Sequence, residues 1–338
     1  MRAFSYQRAP NSAAAIRAAA GQPRGAATSA SVQFLAGGTT ILDLMKLDTM
    51  RPQVLVDLTD LQSSYAYIRS DERGLHLGAL TRMQAVADDP LIASLYPVIA
   101  QTMLLAASPQ LRNMATLAGN VLQRSRCNYF RNSDWGACNK RDPGSGCSAL
   151  DGLTRKHAVL GVSEQCISAY PGDFAQALVA LGATVEILGS NGARAVPFEA
   201  LHLGPEHPER ETILLPGELI TGFVVPAGPW TRRSTYVKVR DRESYEFGLA
   251  TAAVALHMEG SRVLTARIAL GGLAYRPWRA HEAERSLTGQ TLDETTAMAA
   301  AQAAFAGAVT HGENVFKPVL GRHTLVRALL QAQSMRVA

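Results

Sequence analysis

Four cysteines, Cys127, Cys138, Cys147 and Cys166, all fall within forty residues of a chain that has none elsewhere. Thiolates ligate metals and clusters or pair as disulfides, and the clustering of these four has to be explained. The gaps, C-x10-C, C-x8-C and C-x18-C, match neither a zinc finger nor the bacterial ferredoxin run. The surrounding segment, rich in Arg, Asn and Gly and containing Pro143, Gly144 and Gly146, offers the open backbone from which scattered sulfurs can be collected. On spacing alone an iron–sulfur or zinc site, inert buried thiols and disulfides all stay open. Disulfides are the weak reading, because a chain of 338 residues that is 47% hydrophobic does not need staples. Arg124, Arg126, Lys140 and Arg141 would offset part of a thiolate cluster's charge, or else form a solvated loop surface.

A second chemistry lies in two glycine-bearing loops. Ala36-Gly37-Gly38-Thr39-Thr40 sits between a strand-like and a helical run, where unpaired backbone N–H groups and the positive end of a helix dipole suit a phosphate. Two glycines let the backbone approach an anion, and two threonines add hydroxyl donors. Neither the dinucleotide fingerprint nor the triphosphate loop is matched, so a purely structural turn is the alternative. Thr116-Leu117-Ala118-Gly119-Asn120-Val121 has similar chemistry, and two such loops meeting on one pyrophosphate would be far more specific than either. Tyr236 to Arg242 alternates apolar and basic residues, as a half-buried strand with one cationic face or an exposed edge strand would. Asp173 reads as a helix N-cap, and His157, beside an apolar run, as structural. No Ser/His/Asp constellation, metalloprotease helix or catalytic carboxylate pair offers a self-contained hydrolytic site.

These groups must be positioned by a chain whose composition predicts two or three packed globular units. Thirty-three basic and twenty-eight acidic side chains leave a mild +5, with no basic run of five or more, which argues against a dedicated nucleic-acid binder. Apolar stretches fall far short of the roughly 18 residues needed to span a bilayer. Met1-Arg2-Ala3-Phe4-Ser5-Tyr6 runs straight into a strand-like alternation, so no export signal is expected on the chain itself. A helix over 13–20, capped by the polar pair Asn11-Ser12 and stopped at Gly21, strands over 31–35 and 54–58 and a helix over 41–47 predict a small α/β lobe. A second lobe follows, with a strand over 75–81, helices over 83–87 and 97–107, a break at Pro109, and an irregular stretch over 123–164. It continues with a helix over 174–181 and strands over 184–188 and 193–196, and ends at 215–226. Strands over 234–240 and 262–270, an ambiguous helix or strand over 246–256, and helices over 296–308 and 324–333 predict a separate α+β unit.

Taken together, residues 34–46, 115–120, 215–220 and 238–242 resemble, in order and spacing over nearly the whole chain, one family: the FAD-binding middle subunit of the molybdenum hydroxylases. That family includes xanthine dehydrogenase, carbon monoxide dehydrogenase and bacterial aldehyde oxidoreductases. The periplasmic aldehyde oxidoreductase branch has an insert similar to 127–166, including Cys138-Asn139-Lys140-Arg141 and Pro143-Gly144-Ser145-Gly146-Cys147, associated with a four-iron cluster. The resemblance implies an α+β fold: a two-lobed FAD-binding domain, 1–60 and 61–226 with a cluster-binding insert near 123–166, then a C-terminal domain, 230–338, of small antiparallel sheet and helices. It implies that Ala36, Gly37, Gly38, Thr39, Thr40 and Ile41 hold the FAD pyrophosphate and that Thr116, Gly119 and Asn120 form a second flavin loop. Asp173, Ile220 and Lys238 fall at further FAD contacts, with Leu219 the alternative to Ile220. Thr40 stands where many relatives carry Asn. Cys127, Cys138, Cys147 and Cys166 would ligate a 4Fe-4S cluster.

By the same resemblance no catalytic residue lies on this chain. A small two-iron-cluster subunit and a large molybdenum-cofactor subunit would complete a heterotrimer that oxidises an aldehyde or N-heterocycle and passes electrons through FAD to an external acceptor. The complex would be periplasmic by co-export with a signal-bearing partner, or cytoplasmic. The alternatives are a non-catalytic iron–sulfur scaffold that lost its flavin and an autonomous flavin oxidase.

Overall fold

Three short strands at the N-terminus, β1 (Ser5–Arg8), β2 (Val32–Leu35) and β3 (Val54–Asp57), pair as a parallel sheet in the order β1-β3-β2. Parallel neighbours need crossover connections, and α1 (Ser12–Ala20) and α2 (Ile41–Lys46) lie on them. As the sequence predicts, Asn11 caps α1, its side chain accepting from the Ala14 N–H at 2.9 Å. This structure, a computed structural model, describes residues 1–23, 25 and 27–337. Arg24 and Ala26 of the first predicted unit and Ala338 of the third lie outside the described residues.

After α3 (Gln62–Tyr65), a second sheet is antiparallel throughout. Its strands are β4 (Ile68–Asp71), β5 (Gly74–Gly78), β6 (Thr184–Gly189), β7 (Gly192–Pro197) and β8 (Leu219–Pro226), in the order β4-β5-β8-β6-β7. Between β5 and β6 the chain passes through α4 (Met83–Ala87), α5 (Pro90–Leu95), α6 (Pro97–Leu104), α7 (Pro109–Met114) and α8 (Leu117–Val121). Pro109 therefore opens a helix, where the sequence reading has it breaking one. Ser108 caps α7, and a proline in the first turn has no N–H to leave unpaired. The stretch over 123–164 is irregular, as predicted, with α9 (Asn128–Arg131) and turns.

A third sheet, β12-β11-β10-β9, is also antiparallel. It is built from β9 (Ser234–Val239), β10 (Ala250–Glu259), β11 (Arg262–Gly271) and β12 (Trp278–Arg279), with α11 (His281–Leu287), α12 (Glu294–Ala304) and α13 (Lys317–Ser334) packed around it. The ambiguous stretch is thus a strand from Ala250 onward. Its first seven residues are all buried, and a strand covered on both faces loses the alternation that would identify it. Strand β9 is an edge, but a covered one, packed by α6 and α13.

Joining the second and third sheets is α10 (Phe174–Leu181), whose eight residues are all buried. A helix apolar on nearly every side must be enclosed, and α10, with Gln176 its one polar residue, packs against β8, β10 and β11. Phe174 meets Phe223 edge to face at 5.8 Å, and one core runs from Leu75 and Phe223 through α10 to Ala253 and Ala269. Among the described residues no helix is long and apolar enough to cross a membrane.

Candidate functional site

The loop after β2 and the start of α8 line one cavity of about 590 Å3. Gly38 has φ +74°, a left-handed conformation that a side chain strains. A Cβ on Gly37 would collide with the Met114 carbonyl. Both positions therefore require glycine, and Ala36, Thr39, Thr40 and Ile41 line the cavity beside them. Helix α2 begins at once, Leu42 N–H donating to Gly38 O and Leu44 N–H to Thr40 O.

The second loop contributes differently from the prediction. Thr116 and Gly119 line the cavity, but the first N–H groups of α8 are already engaged: Leu117 on Thr81 O, Ala118 on Ala79 O, and Gly119 on Thr116 Oγ1 at 3.2 Å. This loop offers shape and a hydroxyl, with no free amide at 117–119. Asn120 stands outside the cavity lining, its Nδ2 on Met83 Sδ at 3.4 Å and its buried Oδ1 without a partner.

Ile220 and its neighbour Leu219 both line the cavity, whereas Asp173 and Lys238 do not. Asp173 occupies the N-cap position of α10 without a capping side-chain bond. Its carboxylate instead accepts from Tyr236 OH at 2.6 Å and Lys238 Nζ at 2.8 Å. Burial, and then the Asp173 charge, push the Tyr236 hydroxyl well above its ordinary pKa. Lys238 and Arg240 both donate to Leu105 O, at 3.0 and 3.1 Å, so this buried group ties β9 to α10 and to the chain after α6.

The remaining wall comes from residues that no local pattern nominates. Lys140 Nζ donates to Glu211 Oε1 at 2.8 Å and to Tyr275 OH at 2.9 Å, while Arg124 Nε pairs with the other Glu211 oxygen. Burial pushes the Glu211 carboxyl up, but Arg124 and Lys140 outweigh it and hold its pKa at about 2. The Arg124 guanidinium lies 4.7 Å over the Phe130 ring. Tyr170 OH donates to Val121 O at 2.8 Å, and its ring meets His202 edge to face at 4.9 Å. Burial lowers the His202 pKa to about 4, so that ring is neutral near pH 7.

All four cysteines are free. Cys138 and Cys147 face each other across a single antiparallel bridge. Burial raises the thiol pKa of Cys127 to about 12 and also raises those of Cys138 and Cys147. Cys166 adds to the rise in each, which puts the four within electrostatic reach of one another. His157, read from sequence as structural, brings Nε2 to 3.2 Å from Cys127 Sγ. The nearby cations are committed: Arg126 and Arg131 to Asp43, Arg141 to backbone carbonyls including Gly136 O. Among the described residues no three His, Cys, Asp or Glu side chains converge as a site for a metal ion.

Residues 2–228 match the family described as the FAD binding domain in molybdopterin dehydrogenase, and residues 235–332 the CO dehydrogenase flavoprotein C-terminal domain. The chain is 40% identical over 336 residues to the aldehyde oxidoreductase FAD-binding subunit PaoB of Escherichia coli (strain K12), covering 99% of each. It is 32% identical over 260 residues to the carbon monoxide dehydrogenase medium chain of Afipia carboxidovorans, 77% of this chain and 73% of that one. Among solved structures, reconstituted CO dehydrogenase from Oligotropha carboxidovorans superposes with a TM-score of 0.76 at 25% identity over 99% of both chains. Quinoline 2-oxidoreductase from Pseudomonas putida 86 gives 0.73 at 25% identity, over 98% of this chain and 97% of that one.

Replacing Glu211 with Gln strands two buried cations and should destabilise the fold by about 3 kcal/mol near neutral pH. A carboxyl held low in the folded state stabilises above its ordinary pKa and loses that contribution as pH falls. The gap between wild type and E211Q in urea midpoint should therefore shrink from about pH 4.5 toward 2. A pH-independent gap contradicts the ion-pair assignment.

Proposed function

The chain is a member of the FAD-binding medium subunits of the molybdenum hydroxylases, and from that premise we propose that it is the FAD-carrying electron-transfer subunit of a molybdenum-dependent aldehyde oxidoreductase. The observation that carries this reading is the single cavity lined by both glycine-bearing loops. Its volume suits a cofactor, residues 36–41 lie along its lining, and the buried Arg124 on its wall has terminal N–H groups with no partner among the described residues. The cavity argues against a flavin-free scaffold.

In this proposal Ala36, Gly37, Gly38, Thr39, Thr40 and Ile41 hold the diphosphate, while Thr116, Gly119 and Ile220 shape the remaining wall. Asn120, Asp173 and Lys238, outside the lining, brace the elements behind it. The working units are 1–60, 61–226 with the insert near 123–166, and 230–338. Bound FAD supplies reversible electron uptake, and the chain supplies orientation, exclusion of water and fixed charge.

Cys127, Cys138, Cys147 and Cys166 are proposed as the ligands of one four-iron cluster. Supporting this are four free thiols, with Cys166 within electrostatic reach of each of the other three and Cys138 bridged to Cys147 through the backbone. A cluster takes one thiolate per iron and spreads its sulfurs more widely than a single ion, which draws them to about 2.3 Å from one point. Partners would be a small two-iron-cluster subunit and a large molybdenum subunit. The relatives named medium chains support that organisation.

Two variants test the proposal. Gly38→Val should lose FAD while far-UV circular dichroism stays native; stoichiometric flavin at unchanged affinity would show the loop assignment to be wrong. Cys138→Ser should lose iron and become protease-sensitive between Gln123 and Glu164 while keeping FAD. About four iron and four sulfide per anaerobically purified wild-type chain is the expected content, and zinc or two disulfides by mass would refute the cluster.

A further inference from the structure

We propose that Arg124 binds the diphosphate of the dinucleotide directly, an assignment that rests on the reading of the cavity as an FAD site and adds a cationic contact to its uncharged glycine loops. Arg124 is 6% exposed and lines the cavity. Its Nε is spent on Glu211, but both terminal amino groups are buried and have no partner among the described residues. A buried charged donor without an acceptor is costly, and this one is fixed in place by the Glu211 pair and by stacking on Phe130.

Charge identifies the ligand. Arg124 and Lys140 share one carboxylate, leaving a net buried positive charge beside the cavity. Lys140 is saturated, with Glu211, Tyr275 and the Pro208 carbonyl at 2.8, 2.9 and 3.3 Å. Of the other cations on the wall, Arg276 donates to His202 O and Arg210 sits beside Glu209. Residues 36–41 and 116–120 contain no cation, so they offer a diphosphate donors but no countercharge. In oxidised FAD the diphosphate is the anionic part, and the two free arms of a guanidinium match its oxygens as a fork. Arg124 precedes Cys127 by three residues, so the contact also couples the bound dinucleotide to the thiol-bearing loop.

The test uses the full chain stripped of flavin and titrated calorimetrically with FAD, ADP and riboflavin, in wild type, Arg124→Gln and Arg124→Lys. Arg124→Gln should weaken FAD and ADP by about the same factor, roughly 10- to 100-fold, and leave riboflavin unchanged. Arg124→Lys keeps the charge but not the fork, and should lose less for the same two ligands, still more than about 3-fold. FAD and ADP affinities within about 2-fold of wild type in the glutamine variant overturn the proposal. So does an equal loss for riboflavin, which would put the guanidinium on the flavin ring. If the glutamine variant does not fold, the lysine variant decides: wild-type affinity for both nucleotides overturns the proposal. Wild type binding neither FAD nor ADP overturns the cavity reading as well, whereas failure confined to the variants leaves that reading standing.

Discussion

Glu211 holds the junction between the cavity and the thiol-bearing loop. One oxygen accepts from Lys140 and the other from Arg124, and these two cations are separated by fifteen residues of mostly irregular chain. Little apolar burial is available there: the local clusters amount to Leu44, Met50, Phe130 and Cys138 on one side, and Tyr129, Ala149 and Ile167 on the other. Charge and backbone hydrogen bonds take over. Arg126 and Arg131 converge on Asp43 of α2, and Arg141 grips the carbonyls of the chain around it. Such buried polar networks define one geometry when complete and are expensive when broken.

This makes the loop the part of the molecule most dependent on polar contacts. Burial raises the thiol pKa values of Cys127, Cys138 and Cys147, with Cys127 pushed to about 12, so the proposed cluster would displace protons on binding. The opposite holds for α10 and its two sheets, where a continuous apolar core fixes the architecture without help. An apolar frame therefore carries an insert held mainly by ion pairs and backbone hydrogen bonds. The same segment forms one wall of the cavity, through Arg124, Ser125 and Lys140.

Elements with a strong local pattern were legible in the sequence. The 174–181 helix, the 36–40 turn and the β6–β7 hairpin fall where apolar runs and glycines put them. What escaped did so for physical reasons. Pro109 breaks a helix in its interior but starts one in its first turn. Strand β10 shows no alternation because both its faces are buried. Asp173 has the type and position of a cap but answers to Tyr236 and Lys238, more than sixty residues away. Glu211 lies in an unpatterned stretch, and only tertiary structure brings it to Arg124 and Lys140. The residues by themselves left an anion-binding loop and a structural turn both open; the flavin entered through family resemblance, and both glycine-bearing loops line one cavity.

The central claim is that this cavity holds one FAD. Acid release of the flavin from the purified full-length chain, followed by chromatographic identification and quantitation against protein, tests it most directly. The account predicts about one FAD per chain and no FMN, whereas FMN in its place, or a well-folded chain with no flavin that takes up none on incubation with FAD, would contradict it.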